Sequence, residues 1–225
     1  MEYMAGLPDK AFDLAIVDPP YGINAANMSM GQNLSRDDGW KRDRSTAQIL
    51  KKGRLNQGAG HFKGRSLTTM NCDWDFKKPD PEYWTELFRV SRNRIIWGGN
   101  YFPLPPTRGI VVWDKVQPWD NFSQVELAWT SFDTPAKLIR LSNRGGRNDD
   151  DKIHPTQKPC RLYQKLISLF ANNGDKILDT HLGSGSSAIA AEKSGYDFVG
   201  CEIDKNYFDS AVKRFNKSVS QPLFD

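Results

Sequence analysis

The segment Asp179-Thr-His-Leu-Gly183-Ser-Gly185 joins a short apolar run, 176–178, to an alanine-rich stretch, 186–193, and only 46 residues follow Asp179 in a chain of 225. Glycines at such a junction suit a strand that turns sharply into a helix. Gly183-x-Gly185-x-x-Ala188, with the acidic Glu202 downstream, satisfies the dinucleotide-binding fingerprint. A dinucleotide domain needs several strands after its glycine loop, whereas 46 residues hold one strand and two helices. The remaining strands must come from the N-terminal part, so the expected sheet is circularly permuted. The fingerprint alone leaves two rivals open: a nicotinamide-dependent oxidoreductase, and a tight turn that holds no ligand.

The rest of the chain supplies the strands. Apolar runs at 14–17, 94–97, 110–113, 125–129, 176–178 and 198–201 lack clean alternation, as expected of strands buried on both faces of a parallel sheet. Helical spacings fall between them at 81–90, 162–170, 186–193 and 206–215. Strands alternating with helices predict an α/β, doubly wound, mostly parallel Rossmann-like sheet. With 38% apolar residues, 225 residues suit one core, so a single domain over 1–225 is expected, interrupted by an irregular insertion at 24–71. No apolar stretch reaches the roughly 18 to 20 residues of a membrane span, and Glu2 and Asp9 stand where a secretory signal carries basic charge. A soluble cytoplasmic protein is expected. Cys72, Cys160 and Cys201 form no metal-binding spacing and read as free thiols.

Asp18-Pro19-Pro20-Tyr21 closes the first apolar run. In the permuted sheet that strand end stands beside the one ending at Asp179, where strand order reverses and open α/β sheets bind ligands. An exocyclic amino group on adenine or cytosine has its lone pair delocalised into the ring, so a site that alkylates it must draw the pair back onto nitrogen. Asp18 can accept one N–H and the Pro19 carbonyl, left free by the following proline, can accept the other. Two such acceptors also stabilise the positive charge that develops on nitrogen as a methyl group arrives. Tyr21 then offers a ring face for a planar base, worth on the order of 1 to 3 kcal/mol. A base in a duplex must first be flipped out, at a few kcal/mol. The bland alternative is a Pro-Pro turn with Asp18 as an ordinary turn acceptor.

At these residues the chain resembles the S-adenosylmethionine-dependent DNA amino-methyltransferases of the permuted, β-class order. Asp18 to Tyr21 match the family's catalytic motif, and Asp179 to Gly185 its cofactor loop. His154-Pro-Thr-Gln-Lys-Pro159 looks like the segment that packs beside the cofactor's methionine end. The resemblance extends to Arg94-Ile-Ile-Trp-Gly-Gly-Asn100, Val111-Val-Trp-Asp-Lys115 and Glu126-Leu-Ala-Trp-Thr130, and so covers most of the chain outside 24–71. It implies S-adenosyl-L-methionine as cofactor. Asp179 and Glu202 would bind its methionine and ribose portions, beside Leu182, Gly183, Ser184, Gly185 and His154, while Thr156 and Lys158 would hold a carboxylate. Phe198 and Val199 read as core. No metal is implied. The family's adenine-N6 enzymes usually have Asp first in the motif and its cytosine-N4 enzymes often Ser, so adenine N6 of double-stranded DNA is the expected target, with cytosine N4 as the alternative. No cysteine lies in a Pro-Cys-Gln context, which argues against cytosine-C5 chemistry. An inactive DNA-binding remnant is the rival from another class, and methylation of RNA or of protein glutamine a further one, though there the motif usually begins with Asn.

Two departures from the family pattern bear on completeness. Only Met1 to Ala11 precede Phe12, so one edge strand is expected to be missing or built otherwise. About 20 residues stand where relatives place a target-recognition region. The insertion 24–71 carries nine basic residues (Arg36, Lys41, Arg42, Arg44, Lys51, Lys52, Arg54, Lys63 and Arg65) against three acids, an excess greater than the net +4 of the whole chain. It is expected to contact DNA, the competing view being a solvated loop. A restriction-modification setting and a homodimer fit the family. Gln221-Pro-Leu-Phe224 faintly resembles sliding-clamp-binding peptides, but a frayed tail is the favoured reading.

Overall fold

The computed structural model describes residues 1–23, 75, 77–116, 123–142, 153, 154 and 156–220. In chain order the elements are α1 (Glu2–Ala5), β1 (Phe12–Val17), α2 (Pro81–Val90), β2 (Ser91–Trp97), a 3-10 turn (Gly99–Tyr101), β3 (Ile110–Asp114), β4 (Val125–Thr130), β5 (Lys137–Arg140), α3 (Cys160–Phe170), β6 (Lys176–Asp179), α4 (Ser186–Lys193), β7 (Asp197–Gly200) and α5 (Lys205–Val219). Seven strands form one sheet in the order β5-β3-β4-β2-β1-β6-β7.

β1 pairs in parallel with β2 on one side and with β6 on the other. From β1 the chain winds outward through α2 to β2; from β6 it winds the opposite way through α4 to β7. Strand order therefore reverses between β1 and β6, as the permuted pattern requires. β4 runs antiparallel to both β2 and β3, the one reversed strand in the sheet. β5, parallel to β3, lies inside a stretch whose composition reads as irregular, because Lys137-Leu-Ile-Arg140 is short and has three exposed residues. β7 ends the described sheet.

Burial explains the missing alternation. Leu14 and Ile16 of β1 enter a core with Leu162, Leu166 and Ile167 of α3 and Ala190 and Ala191 of α4. Phe12, Ala15 and Val17 of the same strand enter a second core with Tyr83, Leu87 and Val90 of α2 and Met4 of α1. Each of these aliphatic and aromatic side chains, fully buried, contributes roughly 1.5 to 3 kcal/mol. α2 starts at Pro81, whose fixed φ and missing N–H suit the first helical position, and α5 starts at Asp204, whose carboxylate accepts the N–H of Asn206 and Tyr207.

Candidate active site

The register Leu14↔Ile177 and Ala15↔Leu178 brings the ends of β1 and β6 to the same edge, with Asp18 and Asp179 at the two strand ends. The Asp18 carboxylate is only 17% exposed. Its Oδ1 accepts the Tyr21 hydroxyl at 2.6 Å and its Oδ2 accepts the Lys158 ammonium at 2.5 Å. Lys158, 4% exposed, also reaches Glu126 Oε2 at 3.0 Å, and Glu126 Oε1 meets Lys115 at 2.5 Å. Burial works against the Lys158 charge, but Asp18 and Glu126 outweigh it and hold the ammonium above its ordinary range. Burial likewise opposes ionisation of Glu126, and Lys158 and Lys115 override it, so this carboxyl lies below its ordinary value. Trp97 lies under the Lys158 ammonium at 5.1 Å.

Lys158, expected to hold a carboxylate beside the cofactor, is placed at Asp18, and its ammonium is shared by two protein carboxylates. The Tyr21 ring stacks on Tyr101 at 5.0 Å and 15°, so one face is covered within the chain, and burial followed by the Asp18 charge pushes its hydroxyl well above the ordinary value. The close seat of that ring needs Gly98, which has φ +66° and whose added Cβ would come within 2.3 Å of it.

On the β6 side, Asp179 is 1% exposed; Oδ1 accepts the His181 N–H at 2.9 Å and Oδ2 the Ser187 hydroxyl at 2.6 Å. Burial lifts it to about 7, with Asp18 and Glu202 adding to the rise against the two hydrogen bonds. The glycine loop folds onto β7: Leu182 N–H donates to the Cys201 carbonyl, and Gly183 N–H donates to Glu202 Oε2 at 2.7 Å. The other Glu202 oxygen accepts the Asp204 N–H at 3.0 Å. Gly185, at φ +74°, caps α4 and packs against Ala211. Ser184 is turned toward the helices: its hydroxyl pairs with Ser186 and its carbonyl accepts Arg214. His154 completes the loop's surroundings, its ring tilted at 56° against Tyr207 with centroids 4.5 Å apart, with Thr156 Oγ1 3.2 Å from its Nδ1 and its ring atoms the nearest to a Cβ added at Gly183, at 3.8 Å.

Four residues at the site lie in segments of the family resemblance, yet the sequence assigns them no role. Glu126 and Lys115 are single charges in apolar strand patterns, and a lone Glu before Leu-Ala-Trp was the available hint. Thr180 and His181 lie inside the glycine loop, where Thr180 Oγ1 is 2.7 Å from the Tyr83 hydroxyl and 3.0 Å from His181 Nδ1. Burial depresses His181 to about 4, so its imidazole is neutral at physiological pH. Arg36, Lys41, Arg42, Arg44, Lys51, Lys52 and Arg54, expected on DNA, and Gln221 to Phe224 lie outside the described residues. Among the described residues no cluster of His, Cys, Asp or Glu has metal-site geometry, Cys160 and Cys201 are free thiols, and no helix is long and apolar enough to cross a membrane.

The sequence profile of DNA methylases matches residues 112–213, which include Lys115, Glu126, the His154 to Pro159 segment, the glycine loop and Glu202. The Type II methyltransferase M2.LlaDCHI of Lactococcus lactis subsp. cremoris is 24% identical over an alignment of 242 positions that covers 95% of this chain and 86% of that protein. Among solved structures, the M1.HpyAVI–SAM complex aligns with a TM-score of 0.51 at 18% identity, covering 94% of this chain and 91% of the other. PvuII DNA methyltransferase, cytosine-N4-specific, aligns with a TM-score of 0.54 at 11% identity, covering 96% and 86%. The two structures share the fold. A methylase profile over the glycine-loop half, a relative aligned along nearly the whole chain, and an Asp-Pro-Pro-Tyr strand end beside that loop point the same way: the chain is similar to DNA methylases over residues 112–213 and to a Type II methyltransferase along nearly its whole length.

Proposed function

We propose that the protein methylates adenine N6 in double-stranded DNA, with S-adenosyl-L-methionine as methyl donor. The observation that carries this is the juxtaposition, on adjacent parallel strand ends, of the Asp18 carboxylate and the Asp179 to Gly185 loop. The residues of the loop fit the cofactor. At Gly183, with φ +52°, no side chain stands between the loop backbone and the His154 ring, which a Cβ there would touch at 3.8 Å, and Asp179 is a buried carboxyl near neutrality, suited to a ligand that brings cationic groups to it. Asp179, Gly183, His154 and Glu202 would hold the cofactor, with Leu182 and Gly185 shaping the loop. When bound, S-adenosylmethionine supplies a methyl group on a sulfonium sulfur.

Asp18 does the rest of the chemistry. The Tyr21 hydroxyl and the Lys158 ammonium pin its carboxylate, and each oxygen keeps a lone pair that can accept an N–H of the target amino group. The Pro19 carbonyl accepts the second N–H. Held by these two acceptors, the target nitrogen would be pyramidal with its lone pair free to take the methyl group, the thioether of the donor being the leaving group, and the surplus proton would leave the nitrogen along the hydrogen bond to Asp18. No covalent enzyme intermediate forms, so no cysteine is needed. Tyr101, stacked on Tyr21 and 36% exposed, extends the aromatic surface on which a flipped base would lie.

Incubation with unmethylated genomic DNA and S-adenosylmethionine, followed by mapping of modified bases, tests activity, base and site together. Asp18 as the first motif residue favours N6-methyladenine; N4-methylcytosine in the map would replace that target. Asp18→Ala is expected to lower the methylation rate by at least about 10²-fold while retaining cofactor binding. An active Asp18→Ala protein would remove Asp18 from the mechanism.

A further inference from the structure

Asp18, Lys158, Glu126 and Lys115 form a continuous row of alternating charge, drawn from the end of β1, the segment before α3, strand β4 and the end of β3. Their side chains are 17%, 4%, 23% and 5% exposed. Methyl transfer as described above uses only the first link of this row. Burying four charges to stabilise a fold is poor economy, because desolvation costs several kcal/mol per ion and an apolar replacement would serve as well.

Resting on the assignment of amino-methylation to Asp18, we propose that Glu126 is a positioning residue that sets how much of the Lys158 ammonium Asp18 receives. Lys158 has three N–H donors and no acceptor. Glu126 Oε2 stands 3.0 Å from the ammonium as an ion-pair partner without accepting an aligned hydrogen bond, so its charge draws the ammonium away from Asp18, and the Asp18 carboxylate keeps lone pairs for the incoming amino group. If the Glu126 charge is removed, Lys158 turns fully onto Asp18. The site also acquires an uncompensated positive charge that opposes the charge developing on the amino nitrogen. Lys115 acts in the opposite sense. It holds Glu126 Oε1 at 2.5 Å and so weakens the pull of Glu126 on Lys158.

Opposite signs separate this role from simple packing, since a structural ion pair predicts that losing either partner does the same harm. The test is single-turnover methylation by the full chain at saturating S-adenosylmethionine and DNA, with cofactor affinity and melting temperature measured on the same proteins. Glu126→Gln is expected to slow transfer about tenfold or more, with cofactor Kd within about threefold of wild type. Lys115→Gln is expected to raise the rate about twofold. A folded Glu126→Gln protein at the wild-type rate overturns the proposal, as does a Lys115→Gln protein slowed to the same degree. Should Glu126→Gln not melt cooperatively, Glu126→Asp takes its place, since the shorter arm cannot span both lysines; a wild-type rate there is equally fatal. Wild-type protein that transfers no methyl group to any DNA overturns the assignment of function, and the proposal falls with it.

Discussion

Asp179 and His181 titrate against one another. Burial raises Asp179 from an ordinary 3.8 to about 7, so between those values the folded chain binds a proton that the unfolded chain does not. Stability from this group is complete below about 4 and is lost as pH rises through 7, in total on the order of 4 kcal/mol. His181 does the reverse. Burial lowers it from 6.5 to about 4, so the unfolded chain takes the proton first, and stability present above 6.5 is lost as pH falls toward 4. Over the shared window the two slopes cancel. Wild-type stability is therefore expected to show little contribution from this pair between about pH 4 and 6.5, whereas His181→Gln should become less stable as pH rises across it and Asp179→Asn less stable as pH falls. Urea unfolding at four or five pH values measures this; parallel curves for all three proteins would be incompatible with it. At Gly98 the constraint is steric. Gly98→Ala puts a Cβ into the Tyr21 ring at a backbone φ of +66°, so it is expected to cost at least about 1 to 2 kcal/mol from the backbone alone and to pull the Tyr21 hydroxyl away from Asp18. Denaturant unfolding and the methylation rate should fall together.

Among the elements, α5 illustrates how a helix start reaches the site. Asp204 caps it by accepting the N–H of Asn206 and Tyr207, and Tyr207 is the residue against which the His154 ring packs. Asp204→Ala is expected to lower stability by about 1 kcal/mol and to weaken cofactor binding through His154, read as a melting shift and a higher Kd for S-adenosylmethionine. The helices α2, α3, α4 and α5 were legible because each pairs an apolar stripe with a start signal close at hand: Pro81 for α2, Pro159 for α3, Gly185 for α4 and Asp204 for α5. Strand direction was not. β4 carries no sequence mark of its direction, and its reversal follows only from its pairing with β2 and β3.

For the whole molecule, described residues on the two sides of the 24–71 insertion meet near Asp18: Gly22, one residue past the Tyr21 that binds Asp18, donates its N–H to Asp75 at 2.9 Å and packs against Lys78. We propose that the basic insertion between them contacts DNA. Neutralising Lys41, Arg42, Lys51 and Lys52 together is expected to lower DNA affinity and reduce the slope of log K against log salt by about 3 to 4; an unchanged slope would disconnect the insertion from DNA. The amino-acid sequence alone determined the order of strands and helices apart from α1 and β5, the permutation of the sheet, and the meeting of Asp18 with the glycine loop. Those follow from local periodicity, chain length and the rule that open sheets bind ligands where strand order reverses. The partners of Asp18 were decided only in three dimensions. Lys158 lies 140 positions away, and the sequence pattern placed it equally well against a cofactor carboxylate. Glu126 and Lys115 enter the site because the antiparallel β3–β4 pairing sets Asp114 opposite Val125 and Trp113 opposite Glu126. An ion pair depends on a few ångströms between side chains from separate elements, and no periodicity along one chain encodes that distance.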